Sequence, residues 1–326
     1  MWKQLLDIKT VLLNIRDLFL FVAGFFQSLY LMAKLRPDVV FVKGGYVGLP
    51  LGLGAATFHR VIITHDSDAH PGLANRVLAP WAAIHATGMP AKMYSNYHQE
   101  KTEFVGVPIS DHYKKVNSKE QESYKKKLHA DAKKPLILVT GGSLGAQKIN
   151  ESVSSIAKEL VELATVVHVT GNYNYDETLI KIKSGVGDKV GKQYKIEPFI
   201  SKDMYVYSGA ADIIIARGGG SSTAEFATQQ KAVIMIPNPM LSEGHQIKNA
   251  NEVKKINGAV VLNEDAVYKD PSILLREVKD LLNNRDKLAE ISQNLHTLSK
   301  PNSARLLAKL IYLGKKTKKV KNEKNK

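Results

Sequence analysis

The sequence predicts an α/β protein with parallel sheets, arranged as two doubly wound units. Short continuous apolar runs recur along the chain, and such runs are typical of strands buried on both faces. A glycine turn or a polar cluster follows several of these runs, and a helical pattern then begins. Strands that alternate with helices predict parallel sheets joined by right-handed crossovers. Residues 36–107 form one such series, and a second series begins at residue 136.

The bulk composition is that of a globular protein without disulfide or thiol chemistry. The chain has 326 residues, enough for two domains, with 44% hydrophobic and 24% charged residues. It contains no cysteine, which excludes disulfides and cysteine metal sites and fits a reducing compartment. The net charge of +15 includes seven lysines in the tail 314–326, which we expect to be disordered. No zinc-finger spacing or aromatic RNA-binding signature occurs, so we expect no nucleic-acid partner.

The first 35 residues contain an apolar stretch that has two interpretations. In Leu18–Ala33 only Gln27 and Ser28 are clearly polar, and Arg16-Asp17 lies just upstream. The stretch is shorter than the about 20 residues that a membrane span needs, and no cleavage site of a signal peptide follows it. It is therefore a helix in a domain core or an amphipathic helix on a membrane surface. On a membrane, the cations near anionic headgroups would be Lys3, Lys9, Arg16 and Lys34.

The first series of elements places a polar cluster at the end of its second strand. The predicted strands are Val39–Val42, Val61–Thr64 and Ala82–Thr87, and the predicted helices begin at Gly48 and at Leu73. The cluster His65-Asp66-Ser67-Asp68 comes directly after the second strand. Parallel sheets bind ligands at the carboxyl ends of their strands, so this cluster is a candidate part of a site.

A lysine-rich segment, 108–134, separates the two series, and we expect it to be a linker in which Ser118-Lys119-Glu120-Gln121-Glu122 offers a helix start. The second series alternates between strands and helices, and three helices then close the chain. We predict strands at 136–140, 165–169, 194–196, 212–216, 232–236 and 259–262. We predict helices at 145–163, 201–209, 221–229, 245–255, 271–283, 285–298 and 302–313.

Two glycine-rich loops in the second series each join a strand to a helix. Gly141-Gly142-Ser143-Leu144-Gly145 follows the first strand, and Arg217-Gly218-Gly219-Gly220 follows the strand at 212–216. Glycines let the backbone turn sharply and approach a ligand. Unpaired N–H groups and the helix dipole then favour an anion, and we expect a phosphate-bearing ligand at both loops. Glu225 falls in the first turn of its helix and is a candidate acceptor for two vicinal hydroxyls, as on a ribose.

A third polar group begins the predicted helix at 245. Gln246 and Asn249 are three residues apart and share one helix face. Amides carry both donors and acceptors, which suits sugar hydroxyls. Two phosphate sites, a ribose acceptor and a pair of amides in one domain together indicate a nucleotide-sugar site.

An alternative interpretation makes the first glycine loop a nucleophile elbow. Gly141–Gly145 fits G-x-S-x-G, with Ser143 as the nucleophile, Asp212 as the acid and His245 or His296 as the base. This hydrolase leaves Gly218–Gly220 without a role. Neither loop carries G-x-G-x-x-G, which argues against a nicotinamide enzyme.

The motifs resemble those of the MurG-type glycosyltransferases of family 28. The second half shares Gly141-Gly142-Ser143-x-Gly145-Ala146, Phe199-Ile200, Gly218–Glu225 and His245-Gln246-x-x-Asn249-Ala250. The first half shares Arg36-Pro-Asp-Val-Val, Gly44-Gly-Tyr-Val-Gly-x-Pro, His65, Gly72-Leu-x-Asn75-Arg76 and Val105-Gly106-x-Pro108. The resemblance runs from about residue 5 to 313 in order and spacing. Each motif is short, but the ordered set is specific.

The resemblance implies the GT-B fold, with two Rossmann-like domains facing across a cleft. It also implies inverting transfer of N-acetylglucosamine from its UDP carrier to lipid I, giving lipid II in peptidoglycan synthesis. The expected partners are UDP-N-acetylglucosamine, a lipid-linked acceptor and an anionic membrane surface. The protein would be peripheral on the cytoplasmic face of the cell membrane, and the reaction would need neither a metal nor another cofactor.

The resemblance assigns roles to individual residues. Ile200 would contact uracil through its backbone, Glu225 would bind the ribose and Gln246 would bind the sugar. The diphosphate would lie on Gly142, Ser143, Gly145, Gly219, Gly220, Ser221, Ser222, Thr223 and Ala224. The remaining donor-side residues would be Asp68, Ser110, His245 and Asn249. The acceptor side would include Tyr46, Asp68 and Asn75.

Three departures from the family pattern bear on activity. The family's G-G-T-G-G-H loop, whose histidine is a candidate base, precedes the matched part, so the N-terminal domain is expected to lack its first βαβ unit, roughly 70 residues. Asp68 stands where the family has asparagine, and Ser110 stands where it has a phosphate-binding arginine, a loss that Lys114 or Lys115 would have to offset. The fallback candidates for the base are His65 and Asp66.

These matches divide the chain into five parts. We expect an acceptor- and membrane-side domain at 1–107, a linker at 108–134 and a donor-binding domain at 135–298. A helix at 299–313 would pack back on the first domain, and the basic tail would follow it. Three alternatives to the lipid I transferase remain: a donor-binding subunit or inactive paralogue, with a separate chain supplying the first unit; a transferase using another UDP-sugar on a glycolipid; and the Ser143 hydrolase.

Overall fold

The chain folds into two compact units, each with its own parallel sheet. The structure is a computed structural model that describes residues 8–142, 145–240 and 244–324, with side chains described between 10 and 314. Ser143 lies outside the described residues. The first unit is Met1–Val105 together with Asn302–Lys326, and the second unit is Gly106–Pro301.

The first unit is a four-stranded parallel sheet covered by helices. Its strands lie in the order β1-β2-β3-β4. They are β1 (Val39–Val42), β2 (Val61–Asp66), β3 (Ala82–Thr87) and β4 (Thr102–Phe104). Its helices are α1 (Ile8–Leu35), α2 (Gly48–Thr57), α3 (Leu73–Leu78) and, at the far end of the chain, α14 (Ser303–Lys324). Met32 of α1 is buried with Val42, Ile62 and Leu78, which form the core of this unit.

The last helix returns to the first sheet and is longer than we predicted. Leu307 and Leu310 of α14 are buried with Ala86 and Val105. The predicted helix ended at 313 and a disordered tail followed, but the helix continues to Lys324. Lysine and glutamate are good helix formers, so a segment anchored to a folded helix can extend it.

The second unit is a six-stranded parallel sheet in the order β10-β9-β8-β5-β6-β7. Its strands are β5 (Leu136–Thr140), β6 (Thr165–Val169), β7 (Tyr194–Glu197), β8 (Ile213–Ala216), β9 (Ala232–Met235) and β10 (Val260–Val261). Its helices are α4 (Ser118–Lys127), α5 (Gln147–Ser155), α6 (Ala157–Leu163), α7 (Tyr175–Val186), α8 (Met204–Ala210), α9 (Gly220–Gln229), α10 (His245–Lys255), α11 (Glu264–Lys269), α12 (Ser272–Asn283) and α13 (Arg285–His296). Every residue of β5, β6, β8 and β9 is buried, as their apolar sequences predict.

The predicted elements differ from the structure at several places. The predicted helix 145–163 is divided at Ile156, whose φ of −112° and ψ of 14° break the helical path between α5 and α6. Three elements of the structure, β4, α7 and α11, were not predicted from the sequence. Asp176 and Glu177 in the first turn of α7 are a helix-start signal that was available.

The segment 108–134 is part of the second unit rather than a free linker. An Asn117–Glu120 capping box starts α4. Gln121 Nε2 then donates to the carbonyls of Ala210 and Ala211 at 3.2 and 3.0 Å. Lys125 Nζ lies 2.8 Å from Asp212 Oδ2, and the Lys125 side chain is only 7% exposed. The high lysine content suggested a solvated linker, but one of these lysines is a buried ion-pair partner.

We predict that Lys125→Met lowers the free energy of unfolding by about 2–4 kcal/mol, because the Asp212 carboxylate loses its cation. Denaturant unfolding of the two variants measures the difference. The matched control is Lys126→Met, whose ammonium pairs with Glu122 at 2.7 Å in solvent, with a side chain that is 67% exposed. We expect a change below about 0.5 kcal/mol for the control. Equal losses in the two variants would contradict the structural role of Lys125.

Candidate active site

The two glycine loops leave the second sheet from neighbouring strands at the same level. In the register of β5 with β8, Thr140 pairs with Ala216, and these are the last residues of the two strands. The chain runs outward from β5 through β6 to β7 and then returns to β8 on the other side of β5. This is a topological switch point, where open α/β sheets bind ligands beyond the strand ends.

The first loop is held tightly against the end of β6. Gly142 and Gly145 have φ of 81° and 75°, a region that favours glycine. A Cβ on Gly145 would lie 2.2 Å from the carbonyl oxygen of Thr170, so no side chain fits there. Gly145 N also donates to the Gly142 carbonyl at 3.0 Å. The loop leads into α5, whose N-terminus has no side-chain cap and is suited to an anion.

The second loop contains glycines with different roles. A Cβ on Gly218 would lie 2.7 Å from the Gln246 carbonyl oxygen, so α10 requires glycine there. Asn249 Nδ2 donates to the Gly218 carbonyl at 2.8 Å. By contrast, nothing lies within 4 Å of a Cβ on Gly219, the N-cap of α9. All three glycines were expected to allow close approach by a ligand, but Gly218 is needed for packing, and open space lies at Gly219.

Arg217 anchors the start of this loop. Its guanidinium donates to the Ile236 carbonyl at 3.0 Å and pairs with Glu264 at 2.5 Å. Both side chains are buried, so this ion pair fixes the point where β8 ends. Glu264 was missed from the sequence because α11 was not predicted.

Among the polar residues after the second loop, one is buried and stabilises the helix, and the others are accessible to a ligand. Thr223 is buried, and its Oγ1 donates to the Gly219 carbonyl at 2.8 Å. Ser221 is exposed, while Ser222 and Ala224 are half-buried. Thr223 therefore stabilises the first turn of α9, and the serines are the hydroxyls that a ligand can contact.

Glu225 is a half-buried carboxylate with one tyrosine partner. The hydroxyl of Tyr113, a buried residue that the sequence analysis did not select, donates a hydrogen bond to it. Burial raises the pKa of Glu225 to about 7, and the Tyr113 hydrogen bond opposes the shift. Glu225 therefore changes charge near neutral pH. Ser110, in the same segment as Tyr113, is exposed, and Lys114 is paired with Glu120 at 3.3 Å.

Of the two amides predicted to read a sugar, the structure presents one. Gln246 Oε1 accepts from Asn238 N at 2.9 Å, which orients its amide nitrogen as a donor. Asn249 lies three residues further along the same helix but is buried under the second loop, where its amide nitrogen donates to the Gly218 carbonyl. His245 begins α10, and within the described ranges its Nδ1 is buried without a hydrogen-bond partner. Ile200 is half-buried in the loop after β7, at the same sheet edge.

Asp66, in the first unit, is a scaffold residue rather than an accessible base. Its Oδ1 accepts from Gly72 N at 3.0 Å and from Asn75 Nδ2 at 2.9 Å, and its Oδ2 accepts from the Tyr97 hydroxyl at 2.7 Å. The side chain is 5% exposed, and burial raises its pKa. His65 is 0% exposed. The expectation that either residue accepts a proton from substrate is therefore not supported by their burial.

The other residues expected on the acceptor side lie around the same strand ends. Asn75 is buried and donates to the His65 carbonyl at 3.1 Å. Asp68 is half-buried, and its carbonyl accepts from the Tyr94 hydroxyl at 2.6 Å. Tyr46 follows two glycines with positive φ and is 98% exposed. Tyr46 is thus the predicted acceptor-side residue that is fully accessible.

The structure excludes the serine hydrolase. Asp212 N donates to the carbonyl of Leu136, the first residue of β5, so Asp212 lies at the amino edge of the sheet. Thr140, the last residue of β5 before the first loop, lies at the carboxyl edge, roughly 13 Å from Leu136 along the strand. The Asp212 carboxylate is occupied by Lys125 and by Leu136 N, and His296 Nδ1 is bonded to the Ala227 carbonyl. No triad can form from these residues.

Comparison with known proteins identifies the family. The glycosyltransferase family 28 C-terminal domain matches residues 136–310, and the N-terminal domain of the same family matches residues 7–87. The chain belongs to glycosyltransferase family 28. The resemblance inferred from the motifs is therefore confirmed. Across the described residues, no group of three or more His, Asp or Glu side chains could hold a metal ion.

Individual relatives of family 28 span most of the chain. The UDP-N-acetylglucosamine–N-acetylmuramyl-(pentapeptide) pyrophosphoryl-undecaprenol N-acetylglucosamine transferase of Clostridium perfringens is 30% identical over 87% of this chain and 75% of its own length. Bacillus cereus has a transferase with the same name followed by the number 2. It is 34% identical over 84% of this chain and 74% of its own length. The structure of Acinetobacter baumannii MurG matches with a TM-score of 0.72 and 25% identity, covering 90% of this chain and 80% of that one. The fold is therefore GT-B, as predicted.

We predict that the Glu225 carboxyl titrates near pH 7, and that Tyr113→Phe moves the midpoint upward because the carboxylate loses a donor. The ¹³C shift of the Glu225 carboxyl, assigned with Glu225→Gln, measures both midpoints. The folded pKa lies above the ordinary value of 4.5. The folded state thus binds more protons between these values, and the free energy of unfolding falls as pH rises through that range. An unchanged midpoint in Tyr113→Phe would contradict the assigned contact.

Proposed function

We propose that this protein transfers N-acetylglucosamine from UDP-N-acetylglucosamine to undecaprenyl-pyrophosphoryl-N-acetylmuramyl-pentapeptide, with inversion at the anomeric carbon. Membership of family 28 and the names of relatives at 30–34% identity support this activity. The observation that carries the proposal is the pairing of two glycine loops at the switch point between β5 and β8. That geometry is suited to a nucleotide diphosphate, which the donor contains.

In the proposed complex, the diphosphate lies over Gly145 and Gly219, where the positive ends of the α5 and α9 helix dipoles favour an anion. Glu225 accepts hydrogen bonds from the two ribose hydroxyls. Ile200 contacts uracil through its backbone, and the Gln246 amide nitrogen donates to the sugar. The donor-binding roles of Asn249 and Thr223 are indirect, because both hold the second loop.

The reaction is a displacement at the anomeric carbon. The acceptor's sugar hydroxyl attacks that carbon and loses its proton to a general base. The bond between the carbon and the β-phosphate oxygen breaks, and its electron pair leaves with UDP. Negative charge therefore develops on the diphosphate, where the two helix N-termini stabilise it in the transition state more than in the ground state.

We infer that α1 binds the membrane surface. It is long and apolar enough to cross a membrane by composition: Thr10–Leu35 has a mean hydropathy of 1.7 and 11% of that window is buried. One face nevertheless packs on α2, where the buried Ser28 hydroxyl donates to the Pro50 carbonyl at 2.9 Å. Arg16 and Asp17 form an ion pair at 2.7 Å in which both side chains are exposed. A helix packed on one face and apolar on the other lies at an interface rather than across a bilayer.

An apolar cavity beside α1 is suited to the lipid chain of the acceptor. It has a volume of about 630 Å³ and lies between α1 and α2, with Leu20, Phe21, Leu31 and Pro50 among its lining residues. Tyr46 borders it at the end of the β1–α2 loop. An isoprenoid chain leaving the membrane could therefore enter beside the accessible acceptor-side residue. We propose that the protein contacts the cell membrane on its cytoplasmic face.

We predict that replacing Leu12 and Phe19 together by glutamate reduces binding to anionic vesicles at least roughly tenfold, because both side chains are exposed on α1 and would carry charge into the interface. Cosedimentation with phosphatidylglycerol vesicles measures this. The control is Ile180→Glu on α7, another exposed aliphatic residue, which should not change binding. Equal binding of the double variant and the unchanged protein would contradict the role of α1.

The proposed activity is tested by transfer of labelled N-acetylglucosamine to lipid I in vesicles, with calorimetry of UDP on the same protein. We expect turnover, and we expect Glu225→Gln to lower kcat/KM by roughly ten- to a hundredfold, since a ribose acceptor is weakened. UDP binding without turnover would instead support the alternative of a donor-binding subunit that needs a separate chain. Turnover with another UDP-sugar in place of UDP-N-acetylglucosamine would support the glycolipid alternative. Absence of UDP binding would contradict all three.

A further inference from the structure

A buried polar chain lies directly beneath the first glycine loop. His168 in β6 is fully buried, and its two ring nitrogens contact different elements. Nδ1 lies 2.8 Å from the Tyr194 hydroxyl of β7, and Nε2 lies 3.0 Å from Asn150 Oδ1 of α5. Asn150 Nδ2 donates to the Thr170 carbonyl at 2.9 Å. None of these four residues was selected from the sequence, and the donor site described above does not use their side chains.

The direction of each hydrogen bond in this chain is determined. Asn150 uses its amide nitrogen on a carbonyl, so its oxygen is the acceptor toward His168. His168 Nε2 must therefore carry the proton. Burial lowers the pKa of His168 to about 3, so the ring is neutral and Nδ1 is an acceptor. The Tyr194 hydroxyl then donates to Nδ1, and all donors run one way from Tyr194 to Thr170.

The last acceptor of this series of hydrogen bonds, the Thr170 carbonyl, lies against the first glycine loop. The Thr170 carbonyl is the atom that a Cβ on Gly145 would strike at 2.2 Å. Asn150 also lies on α5, where its N–H donates to the Ala146 carbonyl at 2.9 Å, directly after the loop. Tyr194, His168 and Asn150 thus connect β7 and β6 to the two structures that bracket Gly145. If the direction of one of these hydrogen bonds is reversed, two acceptors or two donors face each other inside the core.

We propose that Tyr194, His168 and Asn150 are positioning residues that fix the first glycine loop for the diphosphate of the donor. This inference rests on the proposed function, because it assigns the loop to a nucleotide diphosphate. The three residues do not touch the ligand. They act through the Thr170 carbonyl and the start of α5, and they determine where Gly145 and the first N–H groups of α5 point.

Tyr194→Phe removes only the first donor of the chain and is the main test. The affinities for UDP and for uridine are both measured, by calorimetry and by ligand-observed NMR, because uridine lacks the diphosphate that the loop binds. We expect UDP affinity to fall roughly three- to tenfold, with uridine affinity unchanged. The ¹⁵N shift of His168 Nδ1 should move to that of a ring nitrogen that accepts no hydrogen bond, while Nε2 stays protonated toward Asn150. Unchanged UDP affinity would overturn the inference, and so would equal losses for UDP and uridine.

Two further comparisons separate positioning from loss of stability. Lys231→Met removes another buried hydrogen-bonding group of the second unit. The Lys231 ammonium donates to the carbonyls of Gly209 and Ala211, which precede β8. We expect this variant to leave UDP affinity unchanged. His168→Gln can accept from Tyr194 and donate to Asn150, whereas His168→Leu can do neither. We expect the glutamine variant to retain UDP affinity and the leucine variant to lose it. This pair also serves if Tyr194→Phe fails to fold, and equal affinities in the pair would overturn the inference.

The test distinguishes failure of the inference from failure of the proposed function. If the unchanged protein does not bind UDP, the proposed function is wrong, and Tyr194, His168 and Asn150 have no diphosphate to position. If the unchanged protein binds UDP and the variants bind it equally well, the donor site stands and only the positioning role is overturned.

Discussion

The adjacency of β5 and β8 is the constraint on which the rest of the proposed site depends. Because Thr140 lies beside Ala216, two glycine loops begin at the same level, although about 75 residues separate them along the chain. Each loop leads into a helix N-terminus that carries no side-chain cap. One anion can therefore meet two helix dipoles, and the fully buried strands beneath keep the loops in place.

Much of the surrounding structure serves to hold these loops rather than to touch a ligand. Arg217 is fixed by Glu264, Gly218 is fixed by Asn249, and Gly145 rests on the Thr170 carbonyl. Glycine is required at 218 and 145 because backbone atoms occupy the space of a side chain. The residues of the site with open space or solvent around them are fewer: Gly219, Ser221 and the amide nitrogen of Gln246 are examples.

The sequence predicted the sheets and both loops because those features are local. Apolar runs such as 213–216 and the glycines after them can be read without knowledge of what packs against them. Contacts between distant segments could not be read in this way. Tyr113 meets Glu225 and Lys125 meets Asp212 only after folding, so a segment rich in lysine was mistaken for a linker. Asn249 and Gln246 look equivalent in sequence. After folding, Asn249 is buried and holds the second loop, whereas the amide nitrogen of Gln246 remains for a ligand.

UDP is proposed to bind at the switch point of the second unit. Amide chemical shifts on addition of UDP to the full chain test it most directly. We expect the largest changes at Gly145, Gly219 and Glu225, with small changes at Asp212 on the opposite edge of the sheet. Largest changes at Asp212 or in the sheet of the first unit would contradict it.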